Sequence, residues 1–549
     1  MIYKVQEVVQ RIVMGRVFLL VSIGILILVS CLVGYQGAVL QAYNFDQLID
    51  NYMFESFESF SQAIFPAAHT FMLKWPIFAL GGLLGNSQIA FIAITIIVQL
   101  ITALGFIAII YFATKKNKVV TSLMACLMSL LFLIIPIQEA SGTVAPIGVA
   151  MITTRNIEYI LYILAMWALV KSVRFMDKYA VLGTFLIFLL AASDKLLLYI
   201  ALGSTVLWVI YNCARSRKLA WLHALPAVYV VLAAVASTIL FKFINAFTTL
   251  TINEASSSIS TVTQNSVSSI FNTLLDAVEA IVRNFGATIF GVQPGVTLAM
   301  GGLGLATAVL SVWLSIRIFS NKQDDNLAVK VGRMLVLSSL TATLLYIFVA
   351  RDDGIAVRYL GIVLFTGTFV IALWLSALKM QKMSARRCVV WAVVFLLICI
   401  PAASLHAIKR TSLSIKPTEH HLKIDQIKKI ANEVSERDVD LLVGIYYVAT
   451  LARYQSSDEL AIAPTKDYVC MPEMTDYLTT KAWYQPIDSV NLSALYVRND
   501  GVGGTVNGGC TSEKYDNILG APEDIVSVGK DVSLYLYSFD IREKLFSGR

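Results

Sequence analysis

Charge is what this chain has least of. Only 14% of its 549 residues are Asp, Glu, Lys or Arg, whereas 57% are hydrophobic and the mean hydropathy is +0.72. An average soluble domain carries about 25% charged residues, so the composition is that of an integral membrane protein. Other absences narrow the chemistry. The sequence has no Walker-type phosphate loop, no nucleophilic triad and no Cys–His set at metal-ligand spacing. The stretch "DGVGGTVNGG" at 500–509 falls between strand candidates and reads as a loop, not as a strand-to-helix phosphate fingerprint. No tandem repeat is present, and the only biased segment is a Ser/Thr/Asn-rich loop near 248–270. No small-residue cleavage site follows residues 1–16, so 17–40 reads as a retained span rather than a signal peptide.

What is present is a series of apolar runs, each near the 20 or so residues a helix needs to cross a bilayer. They lie at 17–40, 88–113, 119–136, 156–171, 179–193, 195–212, 219–245, 287–316, 334–350, 356–378 and 388–406, which gives eleven expected spans. The run 77–87 is too short to cross, and Asp194 and Lys195 interrupt the fifth and sixth. The basic residues set an orientation. With a cytoplasmic N-terminus, alternate connections hold 20 of the 27 Lys and Arg residues before position 407, and the opposite side holds 12 of the 16 acids. The first connection is then external, and so is the C-terminus. Past about 407 the chain changes character, with 16 basic and 20 acidic residues and few long apolar runs. This part reads as a soluble α/β domain over 407–549: a helix at 418–436, the strand "DLLVGIYY", the short helix "VATLARYQ" and the strand "LAIAP", followed by "SALYVRN", "DIVSVG" and "VSLYLYSF" as further strands. Two of the seven cysteines, Cys470 and Cys510, fall here, either as a disulfide or as two free thiols.

The outer side of this map collects ionisable groups. "NFDQLID" at 44–50 opens a stretch carrying Asp46, Asp50, Glu55, Glu58, His69 and Lys74. Asp46 and Asp50 share a face on a helix, and the phenylalanines among them make an amphipathic element at the membrane surface. Further charges sit at outer span ends: Arg155 near Glu158, Asp194 beside Lys195, Arg351 beside Asp352 and Asp353, and Arg358 next to Tyr359. A charge in a lipid-facing helix costs about 2.5–3.5 kcal/mol, so such residues line a cavity or pair. Bland readings accompany each. The acids of 44–50 suit a solvated face, Lys74-Trp75-Pro76 an interfacial anchor, and Arg155 with Glu158 a helix-start pair. Lys242 and Arg283 read as snorkelling cations or loop-facing ones.

In its ordered set of features the sequence resembles the GT-C glycosyltransferases, polytopic enzymes that use polyprenyl-phosphate-linked sugars, such as the protein O-mannosyltransferases and the aminoarabinose transferase of lipid A. The likeness covers about 1–406. It rests on a first span followed by a long acidic outer loop, a membrane-dipping "AAHTFMLKWPIFALGG", "TRNIEY" opening a span and "VRYLGIVLF" late in the bundle. The resemblance implies a polytopic helical fold on the outer face of a bacterial cytoplasmic membrane. It implies an inverting transfer from a polyprenyl-phosphate sugar donor to an envelope glycan, lipid or exported protein acceptor. It further implies Asp46 as general base with Asp50 as runner-up, and Arg358 and Tyr359 on the donor phosphate assisted by Arg155, Lys195, Arg351 and Lys74. His69, Glu55 and Asp194 would then face the headgroup or acceptor. The mannosyltransferases' Asp-Glu pair is absent from "NFDQLID". A divalent metal stays open, with Asp46, Asp50 and Asp194 as its carboxylates. Two rivals are a transporter or flippase for a polyprenyl-linked glycan, which calls for mid-membrane charges and inverted repeats, and a non-catalytic envelope scaffold.

Overall fold

The computed structural model describes residues 2–41, 52–67, 70–84, 88–134, 137–140, 143–146, 155–172, 174–216, 223–253, 267–287, 296–320, 326–348, 357–377, 424–456, 459–466, 472–475, 478–498, 512–529 and 532–546. The chain begins with a long helix α1 (Ile2–Gln41), a short helix α2 (Phe57–Ser61) and strand β1 (Ala63–Pro66). A single 3₁₀ turn, Met72–Lys74, leads into α3 (Trp75–Leu83), with Pro76 at its first turn, where a missing N–H costs nothing. Then come α4 (Gln88–Ala113), α5 (Lys118–Ile134), the hairpin β2 (Ile137–Ala140) and β3 (Thr143–Pro146), α6 (Ile157–Lys171), α7 (Lys178–Ser193), α8 (Lys195–Ser216) and α9 (Leu225–Phe247). Strand β4 (Thr251–Asn253) precedes α10 (Val267–Asn284), α11 (Val296–Arg317), α12 (Leu327–Phe348) and α13 (Gly361–Ala377).

Among the described residues six helices are long and apolar enough to cross a membrane: α1, α4, α8, α9, α11 and α12. Four shorter apolar stretches accompany them, Met72–Leu83, Lys118–Ile134, Lys178–Ser193 and Gly361–Ala377. The structure thus shows a membrane-embedded helical protein with six helices of spanning length among the described residues, not the eleven expected; the last expected span, 388–406, lies outside the described residues. The expected span 287–316 is described in part. Its described part is α11 from Val296 onward, with 288–295 outside the described residues, and α10 begins at Val267, within the end of the loop expected near 248–270.

The interior of the bundle is packed by side chains such as Phe106, Tyr162, Met166, Leu335 and Phe365, all fully buried, with the Phe106 and Phe365 rings edge to face at 4.9 Å. Tyr162 donates to Ser338 Oγ at 2.8 Å, satisfying a buried hydroxyl across α6 and α12. On α9, Val228, Val231, Leu232, Val235 and Ile239 are exposed at helical spacing, the outward apolar stripe that a lipid-facing helix presents.

The C-terminal part contains α14 (Ile424–Glu436), β5 (Leu441–Ile445), α15 (Tyr446–Ser456), β6 (Ala461–Thr465), the two-residue β7 (Thr479–Thr480), β8 (Ser493–Arg498), α16 (Ser512–Leu519), β9 (Asp524–Gly529), β10 (Val532–Tyr537) and α17 (Arg542–Phe546). Its five-stranded sheet runs β6-β5-β8-β10-β9, with β5 parallel to β6 and β8 and the other pairs antiparallel. The β5-α15-β6 unit is the right sort of connection for parallel strands, which need a crossover. Strand β7 leaves this sheet and pairs antiparallel with β1, which also pairs parallel with β4, so a second small sheet β4-β1-β7 ties the C-terminal part to the helical one.

Candidate functional site

The site is assembled around a break between two helices. Asp194 stands in extended conformation between α7 and α8. Its N–H donates to Leu190 O at 2.7 Å and closes α7, while its Oδ1 accepts the Leu196 N–H at 2.8 Å and caps α8. One aspartate therefore ends one helix and starts the next. Its second oxygen, Oδ2, lies 2.6 Å from Arg155 Nε. Arg155 just precedes Asn156, whose Oδ1 accepts from Ile157 N and caps α6.

The segment before α3 is stitched to the same break. Phe71 N donates to Ser193 O at 2.8 Å, Leu73 N to Ser193 Oγ at 2.9 Å, and the Thr70 hydroxyl donates to Ala192 O. Phe71 itself has φ 46°, the left-handed conformation that turns the chain into the 3₁₀ turn. These bonds place Lys74 Nζ 3.3 Å from Glu158 Oε2, one residue along α6 from its start. Lys74, Glu158 and Asp194 are 0% exposed and Arg155 4%. The Arg155 guanidinium also stands 5.3 Å from the centre of the Tyr359 ring, at the end of the turn Val357–Leu360 that opens α13. Gly361 lets the start of α13 lie close against α6, since a Cβ there would come within 2.9 Å of the Tyr159 ring.

Two cations and two carboxylates thus meet at one end of the bundle, drawn from the start of α3, the start of α6 and the α7–α8 joint. The pairing differs from the neighbours suggested by sequence: Arg155 meets Asp194, not Glu158, and Glu158 meets Lys74. The contacts are close without being well directed. By donor–acceptor geometry among the described residues, neither Glu158 oxygen receives a well-aligned hydrogen bond, although Lys74 Nζ faces it. Such pairs are held by charge in a low-dielectric interior, where each ion alone would be expensive.

Of the other sequence candidates, Lys195 is the first residue of α8, with Nζ 6.0 Å from the Phe241 ring centre. Glu55 is engaged elsewhere, its Oε1 2.6 Å from Arg453 Nη2 of α15. The backbone of Arg358 lies in the Val357–Leu360 turn. Asp46, Asp50, His69, Arg351, Cys470 and Cys510 lie outside the described residues. Of the phenylalanines expected in an amphipathic element at the membrane surface, Phe45 lies outside the described residues. Phe54 stacks on Phe60 at 4.6 Å and packs with Phe65, Trp75 and Phe78 in a buried group, leaving Phe57 exposed.

Sequence reasoning missed Glu279. It is fully buried on α10 and pairs with Arg283 at 2.7 Å, on a helix that packs against the Val357–Leu360 turn. The signal was available as a helical alternation of polar and apolar residues over 267–284, hidden behind a Ser-rich preface. Among the described residues no three His, Cys, Asp or Glu side chains gather as metal ligands, and Asp194 is already held by Arg155, so the described donors do not fit a divalent metal. No protein-family model matches this chain, and no curated protein is similar enough to match it.

Proposed function

We propose that this protein is a membrane glycosyltransferase that moves a sugar from a polyprenyl-phosphate-linked donor to an envelope acceptor. The observation that supports the reading most is the buried quartet of Lys74, Glu158, Arg155 and Asp194 at one end of an apolar bundle. Ionisable groups are costly there and mark substrate sites by default. In the resting state the carboxylates neutralise the cations. An arriving donor phosphate would take the place of Glu158 or Asp194 beside Lys74 or Arg155, exchanging one anion for another.

The reaction is an in-line displacement. The acceptor oxygen forms a bond to the anomeric carbon, the bond from that carbon to the phosphate oxygen breaks, and polyprenyl phosphate departs with its electron pair. Asp46 takes the acceptor proton, with Asp50 as its alternative. Fixed cations stabilise the charge that grows on the leaving phosphate. The excess of Lys and Arg on the alternate connections supports putting this end of the bundle outside the cytoplasm.

Complete burial favours a second reading, in which the quartet only staples α3, α6, α7 and α8 together within a transporter or scaffold. Both readings are tested by incubating purified protein with a panel of polyprenyl-phosphate sugars and a crude envelope acceptor, and following release of free polyprenyl phosphate. Turnover should fall about 10²–10⁴-fold in Asp46→Asn, the usual worth of a general base. Replacing Arg155 and Asp194 together by Met and Leu keeps a neutral, packed core. The enzyme reading requires this pair to lose turnover while staying folded; unchanged turnover in a folded double variant would leave the staple reading standing. Absence of release by the wild-type protein with every donor would end the glycosyltransferase proposal.

A further inference from the structure

The end of the bundle opposite the quartet holds a cleft of about 840 Å³, within the size range of sites that bury a small amphiphile. Its apolar wall is one face of α13, where Val370, Leu373 and Trp374 recur at helical spacing. Its rim carries two cations, Lys115 just past the end of α4 and Arg317 at the end of α11. Both are exposed, and neither has a carboxylate within ion-pair distance among the described residues. The Arg317 guanidinium stands 5.0 Å from the centre of the Trp313 ring, which fixes the direction of its charge without neutralising it. Ser320 and Asn326 add polar groups at the same rim. Just outside the rim the surface turns apolar, with Phe112 and Ile316 exposed on α4 and α11.

We propose that this cleft binds an anionic glycerophospholipid, its phosphate between Lys115 and Arg317 and its acyl chains along the α13 face and out over Phe112 and Ile316. Charge complementarity selects the occupant. Two cations without a carboxylate partner among the described residues, beside an apolar wall at a bundle end, suit a phosphate attached to hydrocarbon, and basic pockets between membrane helices take such headgroups. A zwitterionic lipid would bring its own cation to the same rim and gain less. Helix C-termini also hold cations by their dipoles. At this cleft, however, both cations border a volume large enough for a ligand, and the wall that faces them is apolar.

The test uses the full chain in neutral detergent with lipids bearing brominated acyl chains, which quench nearby tryptophan. Brominated phosphatidylglycerol should quench the wild-type protein at lower concentration than brominated phosphatidylcholine, and Trp374→Phe should remove part of that quench. Lys115→Gln and Arg317→Gln should each weaken phosphatidylglycerol binding about fivefold, the effect expected of one cation near an anionic headgroup, while phosphatidylcholine binding stays as it was. Lys115→Arg should bind like wild type, which separates charge from folding. Equal binding of the two lipids, or phosphatidylglycerol binding untouched in the folded double Gln variant, would overturn the proposal. Competition by millimolar inorganic phosphate as effective as that by lipid would also overturn it, since it would show an anion site with no use for the acyl chains. None of these readouts depends on sugar transfer.

Discussion

The backbone N–H of Asp194 closes α7, while its side chain does two jobs, capping α8 and neutralising Arg155. The substitutions Asp194→Asn and Asp194→Ala separate them. Asn keeps an oxygen for the Leu196 N–H and loses only the charge, which leaves a buried guanidinium without its counter-ion and should cost about 3–5 kcal/mol. Ala loses the cap as well, a further 1 kcal/mol or so. Thermal unfolding in detergent should therefore rank wild type above Asn and Asn above Ala. A second carboxylate gives a pH-dependent case. At Asp540 burial opposes ionisation, but hydrogen bonds from Arg542, and from the N–H groups of Ile487 and Arg542, outweigh it and hold the carboxyl below its ordinary value. A depressed folded value means stability that is complete above the unfolded value, near 3.9, and lost as pH falls through the folded one. The stability gap between wild type and Asp540→Asn should thus be constant at neutral pH and close as the pH drops below about 4. At this scale the sequence named most of the cluster but not its partners. Adjacent residues such as Asp194 and Lys195 point in different directions, and Arg155 stands before its helix begins, so spacing alone could not pair them.

Helices were legible in proportion to how continuous their apolar runs are. The break at Asp194 and Lys195 could be seen because a charged pair inside an apolar run is rarely tolerated except where a helix ends or turns. Helix α10 could not, because its exposed apolar residues Phe271, Leu274, Leu275 and Val278 alternate with polar ones at a period of 3.6, which a search for unbroken hydrophobicity passes over. Helix contacts also turn on glycines that no pattern distinguishes. On α11, a Cβ at Gly304 would lie 2.3 Å from the carbonyl oxygen of Phe285, in the turn after α10, whereas one at Gly302 would meet nothing within 4 Å. Gly304→Ala forces backbone apart and should destabilise by about 1–3 kcal/mol. Gly302→Ala, two residues away, gains helix propensity and should be neutral or stabilising by up to about 1 kcal/mol. Unfolding midpoints of the two variants, measured side by side, check the α10–α11 contact directly.

At the scale of the molecule, the strand and helix order of the C-terminal part could be read from its hydrophobic alternation, but its attachment could not. Strand β7 is two residues long and carries no pattern, and its partner is far away in the chain; Thr480 Oγ1 donates at 2.6 Å to Ser59 O, 421 positions earlier. The Arg453–Glu55 pair, with the Arg453 guanidinium 4.4 Å from the Tyr52 ring centre, adds a second tie, and Phe91 against Tyr454 a third. Arg453 is buried, so Arg453→Ala should loosen the attachment. Hydrogen exchange at Ala63, Ile64 and Phe65 should then speed up, while exchange in α12, at the centre of the bundle, stays unchanged. Equal protection of 63–65 in wild type and variant would show that the joint does not depend on Arg453.

The sheet β4-β1-β7 also has a consequence for how the protein is made. A ribosome delivers β1 early, adds β4 almost 200 residues later, and supplies β7 about 400 residues after β1. Until then β1 has one open edge beside the aromatic group of Phe54, Phe60 and Trp75, the kind of unpaired strand that recruits chaperones or proteases. A chain interrupted before residue 479 therefore keeps that edge open, and only the arrival of β7 closes it.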